Sequence, residues 1–393
     1  MTTAISTSKR CKTSKNSDEM QQQLLPGLPD HLGQLCLSHL KNSSFLLYSV
    51  CKSWRNLIYS ESFPPFLSLY ALLSSTNNNT TTNTATPSSP IQFSSFDPIS
   101  STWIPLPLPP PPDPDSSLQP LVLQHPSFLA RNLPIQSVAV AGHLVLLAAT
   151  THNLLPALAC PLIFNPISNK WCLGPPFSNP RRWCAAGSVH RSLYVASGIG
   201  SGYTQEIARS AERLDLKKSK ARSEELEWEK VTPLKHGKFS REAVEAVGWR
   251  GKLYMVNVKG HAPKEGVVYN VENNLWEKMP EGMLFGWNGP ATSMNEDVIY
   301  VVDEEKCVLK IYNPKTDCWD NVMESLKLKG AMQITAGGGK VCIVCTGGSD
   351  VVVVDVVHRP TSFWVVRPPM EKKFVAAHIL PRLIPQETGH RNG

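Results

Sequence analysis

Charge is what this chain is short of. Only 18% of its 393 residues are Asp, Glu, Lys or Arg, against about a quarter in an average globular chain. The formal net charge is +7, an excess too small to point to nucleic acid by itself. Long apolar runs are missing too. The longest, 138–149, is broken by Gly142 and His143, whereas a membrane-spanning helix needs about 18 or more apolar residues. It reads as a pair of buried strands. The 10 cysteines show no framework spacing, and the first twenty residues are polar and basic rather than a secretory leader. Reduced thiols in the cytoplasm and/or nucleus are therefore expected.

Catalytic and ligand-binding signatures are scarce as well. Neither a Gly-x-Ser-x-Gly elbow nor a Gly-x-x-x-x-Gly-Lys-Ser/Thr phosphate loop occurs. Gly337-Gly338-Gly339 reads as a hairpin turn. The sole Cys-x-x-Cys, Cys342 to Cys345, lies in a β-type run. Residues three apart on a strand face opposite ways, so these read as buried thiols rather than a metal clip. His143, His190 and His236 stand singly. The reading is of a non-enzyme with no cofactor, no metal and no catalytic set.

Proline, by contrast, is abundant at 33 and clustered, and 41% of residues are hydrophobic, enough for a large core. Residues 1–23 are polar, and a disordered tail is expected there. Lys9, Arg10, Lys12 and Lys15 read as solvated charge, with nuclear import as the functional alternative. In 24–62 the period is helical. Pro29 and Asp30 suit a first helical turn, followed by Leu32, Leu35, Cys36 and His39. Asn42 and Ser43 open a second run carrying Phe45, Leu46, Leu47, Val50, Trp54, Leu57 and Ile58. Two or three short helices with apolar residues on more than one face can barely bury a core alone, which suggests a partner on one face.

From about residue 66 the pattern becomes β-type. Two low-complexity stretches interrupt it, a Thr/Asn/Ser run at 76–90 and a Pro-rich run at 105–120, both read as surface insertions. A recurring phrase dominates the rest. An apolar strand ends in an Asn or Asp turn, and a Trp opens the next strand. It occurs at Phe96-Asp97 to Trp103, Phe164-Asn165 to Trp171, Leu214-Asp215 to Trp228, Tyr269-Asn270 to Trp276, Tyr312-Asn313 to Trp319 and Val354-Asp355 to Trp364. Four strands per unit, repeated radially, make an all-β propeller. Five complete units span about 134–369. Strands near 66–73, 91–96 and 103–106 are left at one end and 374–380 at the other. These predict a sixth blade shared between the two ends, with the C-terminal strand innermost, and a disordered tail over 384–393. A five-bladed ring with loose ends is the alternative.

Leu28-Pro29-Asp30 to Leu40, with Val50-Cys51-Lys52-Ser53-Trp54-Arg55-Asn56-Leu57-Ile58, closely resembles the F-box motif. The later units, with Gly347-Gly348 after a second strand, resemble kelch repeats. Together, over about 24–383, the chain is similar to plant F-box/kelch-repeat proteins, the group of Skp-interacting partners. The resemblance implies a small all-α F-box module (24–62) followed by a six-bladed kelch-type propeller (66–383). It implies the role of substrate receptor in a Skp-cullin-F-box ubiquitin ligase. Leu28, Pro29, Leu32, Val50, Cys51 and Trp54 match motif positions expected to face a Skp-type adaptor or to brace that face, while Leu35, Leu47 and Ile58 read as core. A non-ligase scaffold and, behind it, a propeller enzyme are the other classes.

In a propeller, the loops leaving each outer strand share one face with the second-to-third-strand loops. By this reading the former carry Arg131, Arg181, Arg182, Lys235, Lys238, Arg241, Lys327, Lys329, Lys372 and Lys373, with Glu371 the only acid among them. Trp287 would add an aromatic platform. The expectation is a face for an acidic or phosphorylated target segment, with no nucleic acid or membrane partner.

Overall fold

The computed structural model describes residues 24–38, 47, 50–59, 67–75, 91–98, 101–110, 135–149, 158–200, 202–216, 226–241, 243–259 and 264–382. The two tails, the 76–90 run, most of the Pro-rich run and Arg131 lie outside them. Two compact units divide the chain, Met1–Pro64 and Pro65–Gly393.

In the first unit, α1 (Asp30–Ser38) starts directly after Pro29, whose carbonyl accepts from the Leu32 and Gly33 amides at 3.0 Å. The preceding turn is pinned by Leu28 N–H donating to the Leu25 carbonyl (3.1 Å). A second helix, α2 (Lys52–Tyr59), follows the Val50-Cys51 pair.

In the second unit the recurring phrase folds as read in five of its six occurrences. Blade 1 contains β1 (Leu67–Ser75), β2 (Gln92–Asp97) and β3 (Thr102–Pro105). Blade 2 contains β4 (Ile135–Val140), β5 (His143–Ala149), β6 (Leu162–Asn165) and β7 (Lys170–Leu173). Blade 3 contains β8 (Ala185–Val189), β9 (Ser192–Ala196), β10 (Ala211–Asp215) and β11 (Trp228–Lys230). Blade 4 contains β12 (Ala243–Trp249), β13 (Lys252–Lys259), β14 (Gly266–Asn270) and β15 (Leu275–Lys278). Blade 5 contains β16 (Ala291–Met294), β17 (Val298–Asp303), β18 (Val308–Asn313) and β19 (Cys318–Glu324). Blade 6 contains β20 (Ala331–Gly337), β21 (Lys340–Cys345), β22 (Val351–Asp355) and β23 (Ser362–Val366). The last strand, β24 (Lys372–Pro381), returns to blade 1, giving the sheet order β24-β1-β2-β3. It runs antiparallel to β1 over the whole of that strand, from Leu67↔Pro381 to Ser75↔Lys372. The ring has six blades, and the chain's two ends close it as the leftover strands required.

The core is a set of seams between blades. Tyr70, Leu72 and Phe93 of blade 1 meet Leu144, Leu146 and Phe164 of blade 2. The same arrangement recurs between blades 5 and 6 and between 6 and 1. This is what a radial repeat requires, since no blade buries both faces alone. The two thiols of the Cys-x-x-Cys pair pack into different seams, Cys342 toward blade 1 and Cys345 toward blade 5. Burial pushes Cys342 up to about 12 and Cys345 up to about 11, and the two thiols do not converge on one point. Gly338 and Gly339, both at positive φ, form the two-residue β20–β21 turn that this backbone twist favours.

The repeated Trp does more than fill space. Its indole N–H donates to a carbonyl in the connection leaving the previous blade. The pairs are Trp103 to Arg367 (2.9 Å), Trp171 to Pro107 (2.7 Å), Trp228 to Pro175 (3.1 Å), Trp276 to Thr232 (2.7 Å) and Trp319 to Met283 (3.0 Å). Blade 6 departs from the rule. In the other blades the Trp pairs with the residue before the turn Asn or Asp, as in Phe164↔Trp171 and Tyr312↔Trp319. In blade 6 that partner, Val354, faces Phe363, and Trp364 faces Val353. Reading Trp364 as the sixth seam residue is therefore wrong by one position, which on a strand flips the side chain to the other face. Phe363 holds the register position of the Trp, is 43% exposed, and has no N–H to give.

Near the axis, side chains join inner strands where backbones do not. Gln136 donates to the Cys184 carbonyl (2.8 Å) and accepts from its amide (3.2 Å). Gln333 does the same for Ala377 at 3.0 and 2.6 Å. Both glutamines adjoin register shifts in their strands, where a bulge re-aims a side chain. Each amide imitates one residue of a missing strand pairing. Gln333→Leu strips partners from both backbone groups of Ala377 on the closing strand. It is expected to lower stability by about 1–3 kcal/mol, seen as a reduced urea midpoint with an unchanged denaturant slope.

Candidate functional site

Two surfaces could serve recognition. On the helical unit, Trp54 of α2 is half-buried and its indole N–H donates to the Leu24 carbonyl at 2.5 Å. That bond spans 30 residues and fixes the turn that carries Leu28 and Pro29. Leu28 is half-buried and Pro29 is exposed. Leu32 and Val50 are exposed, at 40% and 56%, and Cys51 is half-buried. Leu47 and Ile58 are buried as read, but Leu35, read as core, is 55% exposed. The α1 face packed inward carries Gly33 and Leu37 instead. A helix of nine residues cannot turn Leu32, Leu35 and Leu37 all inward.

On the propeller, antiparallel order within each blade puts the outer-to-inner connections and the second-to-third-strand loops on one face. Two of the residues read as exposed on that face are not. Arg181 is 2% exposed. Its Nη2 lies 2.9 Å from Oε1 of Glu212 on β10, and its Nη1 and Nε donate to the Ser197 (3.3 Å) and Asn179 (3.2 Å) carbonyls. It is the counter-ion of a buried carboxylate, which the sequence separation of the two residues concealed. Trp287 is fully buried, packed edge-on to Trp319 with ring centroids 6.1 Å apart. It is a core residue, placed inward by the short helix α3 (Glu281–Gly286) before it, and no platform.

The remaining cations differ in how free they are. Arg182 is half-buried with its guanidinium 4.4 Å over the Trp183 ring. Lys238 is ion-paired with Glu265. The side chain of Arg241 lies outside the described part of the structure. Lys235, Lys327 and Lys329 are exposed, and Lys372 and Lys373 are half-buried at the start of β24. Glu371 is not the sole acid in these connections: by sequence position they also hold Asp113, Asp115, Glu242 and, after blade 4, Glu281. The basic bias is real but weaker than the residue list implied.

Sequence reading passed over the axial channel, a cavity of ≈ 1210 Å³ lined by the inner strands. His378 of β24 is buried there against Ser137 of β4, 2.8 Å from its Oγ, across the seam between blades 1 and 2. Burial lowers its pKa from 6.5 to about 4. In the unfolded chain the imidazole takes up its proton near 6.5, so between about pH 6.5 and 4 the unfolded state binds more protons. Stability is full above that window and declines as pH falls through it, by up to about 3 kcal/mol. Denaturant melts of the wild type and His378→Asn across pH 4–7 check this, with a shallower pH slope expected in the variant. Among the described residues no group of His, Cys, Asp and Glu is arranged to hold a metal.

Exposed apolar residues on a small helical unit and a six-bladed ring presenting loops are the two candidate recognition surfaces. No family model matches the chain. It is 44% identical over 365 residues to the F-box/kelch-repeat protein SKIP25 of Arabidopsis thaliana, covering 92% of this chain and 90% of the relative. It is 23% identical over 349 residues to the Arabidopsis F-box protein AFR, covering 83% and 82%. A third relative, an Arabidopsis F-box/kelch-repeat protein, is 25% identical over 377 residues, covering 80% and 74%. The chain belongs to the F-box/kelch-repeat proteins.

Proposed function

We propose that this protein is the substrate-recognition subunit of a Skp-cullin-F-box ubiquitin ligase. In this reading residues 24–62 form the F-box and seat in a groove of a Skp-type adaptor. The propeller then holds the target on its loop face for ubiquitination by the rest of the complex. The observation that carries it is the exposure of Leu32, Leu35 and Val50 on a unit of two short described helices. Apolar anchors left in water beside a braced Leu28-Pro29 turn fit helix-in-groove binding, where a few side chains supply most of the energy. Leu28, Pro29, Leu32 and Val50 are the anchors, with Leu35 added by its exposure. Trp54 is the brace, and Cys51 is assigned to the same face. The chain's part is binding, and the chemistry belongs to its partners.

The test is co-purification of the full chain with a Skp-type adaptor and a cullin. Recovery of both supports the ligase reading. Recovery of neither, from a folded chain, replaces it with a scaffold that works without a ligase.

A further inference from the structure

The three most exposed large apolar side chains among the described residues occupy the same kind of position. Phe285 is 85% exposed, Leu326 85% and Met370 90%. Each lies in the connection between the outer strand of one blade and the inner strand of the next, at junctions 4/5, 5/6 and 6/1 in turn. Strand direction puts all three on the loop face, across three consecutive junctions of a six-membered ring. A monomer gains nothing by leaving these residues in water, and scattered exposure would not place the extremes at equivalent sites on successive blades.

Junction 5/6 carries a second, independent irregularity. Of the six junctions, five have their connection tied by an indole N–H from the following blade. Here Phe363 holds the register position of the Trp and supplies no such bond. The connection is held from its ends instead, by Cys345 Sγ to the Lys327 carbonyl (3.2 Å) and Thr346 to the Gly330 carbonyl (2.8 Å). The one-turn helix Leu326–Leu328, which carries the first of these ties, buries Leu328 and turns Leu326 outward.

Charge indicates what covers the apolar residues. From junction 5/6 to junction 6/1 the loop face and its strand ends carry Lys327, Lys329, Arg367, Lys372 and Lys373 against Glu324, Asp350 and Glu371. The opposite balance lies one blade back, where Glu304 and Glu305 outnumber Lys306. Lys327 and Lys329 flank Leu326, and Lys372, Lys373 and one arginine, Arg367, flank Met370, so compact point charges outnumber the planar forks that suit phosphate best. Arg181, which would have supplied such a fork, is spent on Glu212.

We infer that the arc from Phe285 through Leu326 to Met370 is a docking surface for an unmodified acidic protein segment carrying spaced Leu- or Phe-type residues. Its apolar side chains pack on the three exposed ones, and its carboxylates face the lysines at junctions 5/6 and 6/1. This rests on the propeller's proposed role as target receptor and names the chemistry of that target.

The test uses the full chain, co-purified with a Skp-type adaptor, on an array of synthetic peptides about twelve residues long in four pools. One combines Asp/Glu with Leu/Phe, one combines Lys with Leu/Phe, one combines Asp/Glu with Ser, and one combines phosphoserine with Ser. The first pool is expected to be retained about tenfold or more above the others. Phe285→Ala/Leu326→Ala/Met370→Ala should cut that retention about tenfold, the loss of a little over 1 kcal/mol. Lys327→Glu/Lys329→Glu should also cut it and raise retention of the Lys pool. All five sites are exposed, so the variants should melt with the wild type. Equal or stronger retention of the phosphoserine pool overturns the inference, as does retention of no pool, or retention indifferent to both variants. Adaptor co-purification is read from the same samples and does not involve these loops. Its loss would sink the ligase reading, while failure of the array alone sinks only this one.

Discussion

Arg181→Ala is expected to destabilise the propeller by about 3–5 kcal/mol, because it leaves the Glu212 carboxylate charged and alone at 1% exposure. That is a large part of the roughly 5–15 kcal/mol that holds a typical domain together. The guanidinium also satisfies the Asn179 and Ser197 carbonyls and meets the Ser210 hydroxyl. These tie the connection entering blade 3 to the loop between β9 and β10. Truncation therefore loosens both loops as well as stranding the charge. The double change Arg181→Met/Glu212→Leu removes both charges and keeps the volume, and should recover most of the loss, since an intact buried pair contributes little over a packed apolar one. Urea melts of wild type, single and double variants measure this. A single variant as stable as wild type would show that Arg181 is solvated after all. One consequence bears on binding assays. Loss of target capture on replacing Arg181 would report a disrupted blade and not a lost contact.

Leu28→Ala combined with Pro29→Ala is expected to weaken adaptor binding by about 30-fold or more, the equivalent of about 2 kcal/mol for removing a central anchor. Leu28 is half-buried and Pro29 exposed on a turn whose shape is set elsewhere, by the Leu28 amide bond to Leu25 and the Trp54 bond to Leu24. The substitutions thus remove contact area while leaving those two bonds in place. Trp54→Phe keeps the ring, deletes the N–H donor and should cost a smaller amount, about 1 kcal/mol, through a less rigid turn. Quantitative pull-down of the adaptor with full-length variants checks both, with Lys235→Glu on the propeller as a control expected to change nothing. Equal recovery by wild type and the Leu28/Pro29 variant would favour the scaffold.

The loop face shows where sequence reading failed and why. Arg181 and Arg182 look alike in sequence, yet one is buried against Glu212 and the other lies over Trp183. Their difference comes from Glu212, 31 positions further on, and no local pattern encodes it. Trp287 stood apart from the repeated Trp positions and so read as loop. Its burial follows from the packing of its connection on Trp319. Trp364 was misplaced for another reason. Composition says that a Trp follows the turn, but only strand register says which face it takes, and a one-residue offset exchanged it with Phe363. The glutamine clamps and His378 were missed because polar residues on inner strands carry no periodic signal.

What the sequence determined by itself was periodic or local. The six-fold phrase pointed to six blades and the leftover strands to closure through the C-terminal strand, and the β24–β1 pairing decided against a five-bladed ring. The Leu-Pro-Asp and Val-Cys-Lys-x-Trp pieces marked the helical unit. Hydrophobic period and turn chemistry are short-range properties, readable along the chain. Tertiary structure alone decided which cations are free, which aromatics are core and where Phe285, Leu326 and Met370 emerge. Burial and ion pairing depend on residues that meet only when the blades pack, and sequence separation carries no record of such meetings.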